Sequence, residues 1–224
     1  MDANSLAVID RKRAHPKLDS LCGIDDAPGQ TLMLAAERHQ SEFAVAVGDP
    51  QGRASTRFSP SDLGESLAAV TQARAWPEEN RLYARFATRD PFDPGKIHQD
   101  PSLLVIREGR VSFASSELRR RFAPLARLSL DHAWTLDRTA GRLWFAARST
   151  EEGQPTAALL LGVNARTLRA DAPVEVPDVA AILALHPVPD GAIALVKLTA
   201  GGMGLTRARM TAGGLSLTTQ RLPL

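Results

Sequence analysis

A single cysteine, Cys22, stands in 224 residues, which excludes an intrachain disulfide and any multi-cysteine zinc site. Aromatic residues make up only 5%, too few for the stacking platforms that hold single-stranded nucleic acid. No apolar run approaches the roughly 18 residues that a membrane helix requires; the longest are Ala157 to Val163 and Val179 to Leu185. Charge of one sign is lacking too. Lys and Arg (27) against Asp and Glu (25) leave a formal charge of +2, which argues against a chain built to coat nucleic acid. Met1 to Leu18 is polar and basic with no apolar core of a secretory signal, so a cytoplasmic location is expected, or a periplasmic one if a signal was removed ahead of Met1. Also missing are a P-loop, a dinucleotide-binding fingerprint, a Gly-x-Ser-x-Gly elbow and a His-Glu-x-x-His pair. No cofactor, no resident metal and no membrane partner are expected, and the reading leans away from an enzyme.

What is present is an ordinary globular composition, 44% hydrophobic with 16 Gly and 15 Pro, on a chain long enough to bury a core without staples. Its Ala, Arg, Leu and Pro usage points to a GC-rich bacterial source. Within it lies an internal repeat. A tight turn opens an apolar strand at Gly29, Asn80, Gly141 and Gly191, at intervals of 51, 61 and 50 residues. An apolar strand precedes each turn: Leu18 to Ile24, Leu67 to Gln72, Ala133 to Leu136, Val179 to Leu185. Another follows: Phe43 to Val47, Leu103 to Ile106, Ala157 to Val163, Gly204 to Met210. Turn chemistry then leads to a fourth, more polar strand: Arg53 to Phe58, Val111 to Ala114, Thr167 to Ala170, Leu215 to Arg221.

Four short antiparallel strands per unit, apolar first and polar last, is the pattern of a β-propeller blade. A lone sheet of this composition cannot cover its own faces, whereas sheets packed side by side bury each other's. The expected fold is therefore all-β, a four-bladed propeller-like repeat of four-stranded antiparallel sheets. Residues 1–17 form a basic N-terminal arm and 18–224 a single four-unit domain, with units at about 18–60, 61–115, 128–177 and 178–224. Leu32 to Val47 and Leu63 to Trp76 also read as Ala-rich helix, which leaves a β-sandwich with one or two short helices as the alternative. At the level of repeat architecture, over residues 18 to 222, the chain resembles the small four-bladed propellers, of which hemopexin-like domains are the familiar example. A lone Cys22 cannot make the ring-closing disulfide typical of those domains, and a half ring of four blades completed by a second copy, a homodimer, or by another chain stays open.

Long connections fall between second and third strands and between units, the set that emerges on one side of a blade, and loops on a rigid scaffold carry binding residues. Arg89 to Pro101 holds three prolines that limit its freedom, and offers Asp90, Phe92, Asp93, Lys96 and His98 for recognition; Asp90, Asp93, His98 and Asp100 carry oxygen and imidazole groups that suit a metal, but their Asp-Pro steps are turn formers and favour a solvated loop. Glu117 to Arg127 offers Arg119, Arg120, Arg121 and Phe122, guanidinium forks that suit carboxylate or phosphate. Asp131 beside His132, and His186, sit at ends of first strands, but neighbours on a strand point to opposite faces, so Asp131 is poorly placed to orient His132. Cys22 reads as core, Gly201-Gly202-Met203-Gly204 as a hairpin turn, and Trp76, Trp134 and Trp144 as equivalent packing residues between sheets. The expected function is a non-catalytic protein-binding module of scaffold, inhibitor or immunity type. One alternative is a metal-dependent or carbohydrate-active enzyme with Asp and His on the loop-rich face or in the channel. The other is nucleic-acid binding through the arginine clusters, which scarce aromatics disfavour.

Overall fold

The computed structural model describes residues 18–27, 30–37, 43–47, 56–58, 67–79, 81–89, 97–107, 110–114, 128–149 and 157–223. The chain is all-β and repeats one unit four times, each a four-stranded antiparallel sheet of the propeller-blade type. The first sheet runs β1 (Leu18–Ala27), β2 (Gln30–Glu37), β3 (Phe43–Val47), β4 (Thr56–Phe58). The second runs β5 (Leu67–Trp76), β6 (Arg81–Arg89), β7 (Ile97–Arg107), β8 (Arg110–Ala114). The third is β9 (Leu128–Asp137), β10 (Arg142–Ser149), β11 (Ala158–Asn164), β12 (Val174–Glu175). The fourth is β13 (Val179–Val188), β14 (Gly191–Leu198), β15 (Met203–Thr211), β16 (Gly214–Arg221). The described parts of the Ala-rich stretches that also read as helix are strands, and the described residues hold no helix beyond the single 3-10 turn Pro77–Glu79.

The chain divides into two compact units, Met1–Ala114 and Ser115–Leu224. In the first, β1 lies against β5; in the second, β9 lies against β13, so neighbouring sheets meet along their first strands. Those first strands share a device that no composition pattern announces. Each is ten residues long and lies along only eight residues of its neighbour. In three sheets the surplus sits at the same places, with register shifts at Leu18/Ser20 and Leu21/Gly23, at Leu67/Ala69 and Val70/Gln72, and at Val179/Ala181 and Ile182/Ala184. In the third sheet it is gathered opposite Ala146, where residues 131–133 face one partner position. Bulges of this kind bend a strand and raise its twist. Cys22 lies at one of these shifts, and its side chain is outside the described residues.

In the second unit the third and fourth sheets face each other across an alanine-rich core. Ala133, Ala146 and Ala158 on one sheet and Ala192, Ala194 and Ala208 on the other let backbones approach, while Trp144, Leu160, Ile182 and Val196 supply bulk. The opposite face of the third sheet is apolar and buried as well, with Trp134 stacked on Phe145 at 5.9 Å between ring centroids. In the second sheet Trp76, Leu82, Tyr83, Ala84 and Arg85 are all buried. The three tryptophans are therefore packing residues, but not equivalent ones: Trp76 ends a first strand, Trp134 lies inside one, and Trp144 sits on a second strand facing the other way from Trp134.

Two expected boundaries move. Thr167 to Ala170 is not the fourth strand of its unit: the Asn164 side chain accepts hydrogen bonds from the Arg166 and Thr167 N–H groups at 3.0 and 2.9 Å, and the Leu168 N–H donates to the Asn164 carbonyl. That Asn-headed turn consumes the segment, so the outer strand forms later, at β12. The expected loop Arg89 to Pro101 is strand at both ends, since Arg89 closes β6 and His98 pairs with Thr88.

Candidate binding face on the fourth sheet

Of the residues singled out in sequence, Asp90, Phe92, Asp93, Lys96, Arg119, Arg120, Arg121 and Phe122 lie outside the described residues, and His98 is described by its backbone alone, on β7. Among the described residues no group of three or more His, Cys, Asp or Glu is arranged for a metal ion. Asp131 does not serve His132. It accepts a hydrogen bond from Arg148 Nε at 2.9 Å across the β9–β10 pair, and His132 is exposed. The Arg148 guanidinium is held above its ordinary pKa, first by that hydrogen bond and then by the charge of Asp131. His186 pairs opposite Ile193 on β13, exposed. Gly201 and Gly202, both at positive φ, close the β14–β15 turn.

A second charged group serves structure. Arg142 pairs with Asp171 and lays its guanidinium over the Trp144 ring, 4.8 Å from the centroid, a cation–π distance. Gly162, which pairs with Trp144, makes the room: a Cβ there would come within 2.7 Å of Arg142 Nε and 2.9 Å of Asp171 Oδ2. Burial lowers the Arg142 pKa, partly offset by Asp137. Asp137 itself accepts from the Ala140 N–H at 2.9 Å and shapes the β9–β10 turn.

Among the described residues, one feature with room for a partner is the face of the fourth sheet turned away from its core. Strand periodicity builds it. On β15, Gly204, Thr206 and Ala208 are buried, and Leu205, Arg207 and Arg209 are exposed. Register then sets the rows: Ile193, Arg207 and Thr218 stand on one rung, Leu205 beside Gln220 on the next, and Arg209 beside Ser216 on the other side. Together they line an open cleft of about 410 Å³. Its floor is aliphatic, its rim carries two guanidinium groups and two hydroxyls, and its lining has no carboxylate. Lys197 points the same way from β14, exposed. Arg207 and Arg209 are two residues apart on one strand, hence on one face and about 6.7 Å apart along it. Such a surface offers an anionic partner two forked donors and a shallow apolar seat. The sequence carries the signal in the alternation Thr206-Arg207-Ala208-Arg209, but as the apolar third strand of its unit the segment does not read as a site.

No protein-family model matches this sequence. No curated protein matches it either. Among solved structures, the chain is similar to the α-L-arabinofuranosidase of Podospora anserina in complex with cellotriose, at 12% identity and a TM-score of 0.38, over 95% of this chain and 70% of that one. A likeness of that degree carries no argument about activity.

Proposed function

We propose that the chain is a non-catalytic binding module that seats another protein on the open face of the fourth sheet. The observation that supports it is the cleft of about 410 Å³ with Arg207 and Arg209 on its rim and no carboxylate in its lining. The segments holding Asp90 to Lys96 and Arg119 to Phe122 belong to the same proposal as further partner contacts, and scaffolding, inhibition and immunity are the forms such binding takes. The carbohydrate-active alternative calls for free carboxylates. In the second unit, Asp131, Asp137 and Asp171 are instead engaged by Arg148, the Ala140 N–H and Arg142, so none of these three stands ready as acid or base.

The test reconstitutes a captured partner from purified components. Changing both Arg207→Glu and Arg209→Glu is expected to weaken binding at least tenfold, while Arg169→Glu, one such substitution on an exposed turn of the third sheet, leaves it unchanged. Equal binding by both variants, or turnover of an aryl-glycoside panel by the wild-type chain, overturns the proposal.

A further inference from the structure

The outermost strands of the four sheets are not alike. Among the described residues β4 spans 3 residues, β8 spans 5, β12 spans 2 and β16 spans 8. Short edge strands are a common defence against unwanted pairing, because an edge presents a row of unused N–H and C=O groups. The fourth sheet lacks that defence. β16 pairs with β15 along its whole length and, among the described residues, no strand lies on its other side. It contains no proline or lysine, and its one charge, Arg221, is at its end.

Which groups face outwards follows from the register. The Leu222 N–H donates to the Met203 carbonyl at 2.9 Å, so in the unbroken ladder the residues at 216, 218 and 220 exchange bonds with β15. Leu215, Leu217, Thr219 and Arg221 therefore direct their N–H and C=O groups away from the sheet. The Thr206 and Thr219 hydroxyls, 2.9 Å apart, fit this phase, since side chains approach most closely at non-hydrogen-bonded pairs.

We infer that the open edge of β16 takes up an extended segment of a partner protein as a fifth strand, with acidic side chains at alternate positions lying over Arg207 and Arg209. This rests on the binding-module reading and names its partner chemistry. An added strand would run about 10 Å from β15, two strand spacings away. Only the small residues Ser216 and Thr218 intervene on that face, leaving the arginines free to reach across. Carboxylates two residues apart on the incoming strand repeat every ~6.7 Å, the interval between the two arginines. Main-chain bonding supplies affinity and the side-chain row supplies specificity, as in other strand additions. Single-stranded nucleic acid fits less well: the face has no aromatic residue to stack a base, and a phosphodiester backbone, whose oxygens only accept, gives the edge's C=O groups no donor.

The experiment uses the full chain and a fluorescent eight-residue peptide alternating Glu with Val and Thr. A companion peptide has Lys in place of Glu, and two forms are N-methylated on one or the other alternate set. The Glu peptide is expected to bind, the Lys peptide not, and one methylated form to lose at least tenfold in affinity while the other keeps it. Arg207→Glu with Arg209→Glu is expected to remove binding while thermal unfolding stays unchanged, and Arg169→Glu to leave binding intact. Equal binding of both methylated forms overturns strand addition; if the double variant still abolishes that binding, the face reading survives it. Binding of a single-stranded thymidine oligonucleotide in place of the peptides overturns the inference in favour of a general polyanion site. Absence of binding by every peptide overturns it too, and the reconstituted-partner experiment then judges the module reading separately.

Discussion

The third and fourth sheets are built alike and exposed differently. Each has a ten-residue first strand folded onto eight, then an apolar second strand, and Trp144 and Ile193 hold the same place in those second strands, the third residue of β10 and of β14. Trp144 is 1% exposed because the fourth sheet covers its face. Ile193, on the corresponding face, lines a cleft instead. What separates them is the neighbour, not the strand: Gly162 and Leu160 on β11 continue an apolar surface beside Trp144, whereas Arg207 on β15 begins a polar one beside Ile193. The outer strands follow suit, two residues against eight.

The widest separation is expected from truncation at that shared position. Trp144→Ala should cost about 3–5 kcal/mol in urea unfolding, as large aromatic deletions from a core do, and Ile193→Ala no more than about 1 kcal/mol. Near-equal losses would mean that the fourth sheet's outer face is packed as tightly as its inner one.

Gly162→Ala probes how closely the third sheet is fitted. Its methyl would displace the Arg142 guanidinium from the Trp144 ring and from Asp171, at about 1–3 kcal/mol for overpacking. A neutral result would show that the guanidinium shifts freely.

A smaller effect is expected from Arg148→Ala. The Arg148 side chain is about half exposed in its pair with Asp131, and pairs open to solvent are worth below about 1 kcal/mol. The folded pKa of Arg148 is raised, so its contribution is complete below the unfolded value and fades only as pH climbs through the folded one. The loss should therefore be flat from neutral pH into the mildly alkaline range, and a slope there would contradict the assignment.

The smallest change in stability is expected for Arg207→Glu with Arg209→Glu, within about 0.5 kcal/mol in the same assay.

The blade pattern was legible in particular residues. Gly141 and Gly191 open β10 and β14 as expected, Phe43 to Val47 is β3 without change, and Gly201-Gly202 turns a hairpin. Asn164 misled in a telling way: it marked a turn correctly, but its side chain caps two successive N–H groups, which lengthens the turn and delays the outer strand. The candidate face was hidden for another reason. Ala-Ile-Ala-Leu-Val in β14 reads as a strand apolar on both sides, and nothing in that run says which side finds a partner.

Sequence by itself determined the period, the strand content and the turns, because backbone preference and local side-chain bonding act within a few residues. It determined too that β15 would alternate small residues with arginine. Tertiary structure alone decided the ten-for-eight bulging of the first strands, the capture of Asp131 by Arg148 rather than by the adjacent histidine, and which of two similar sheet faces stays open. Those outcomes depend on contacts between strands and sheets far apart in the chain, where register and packing choose among surfaces that local composition leaves equivalent.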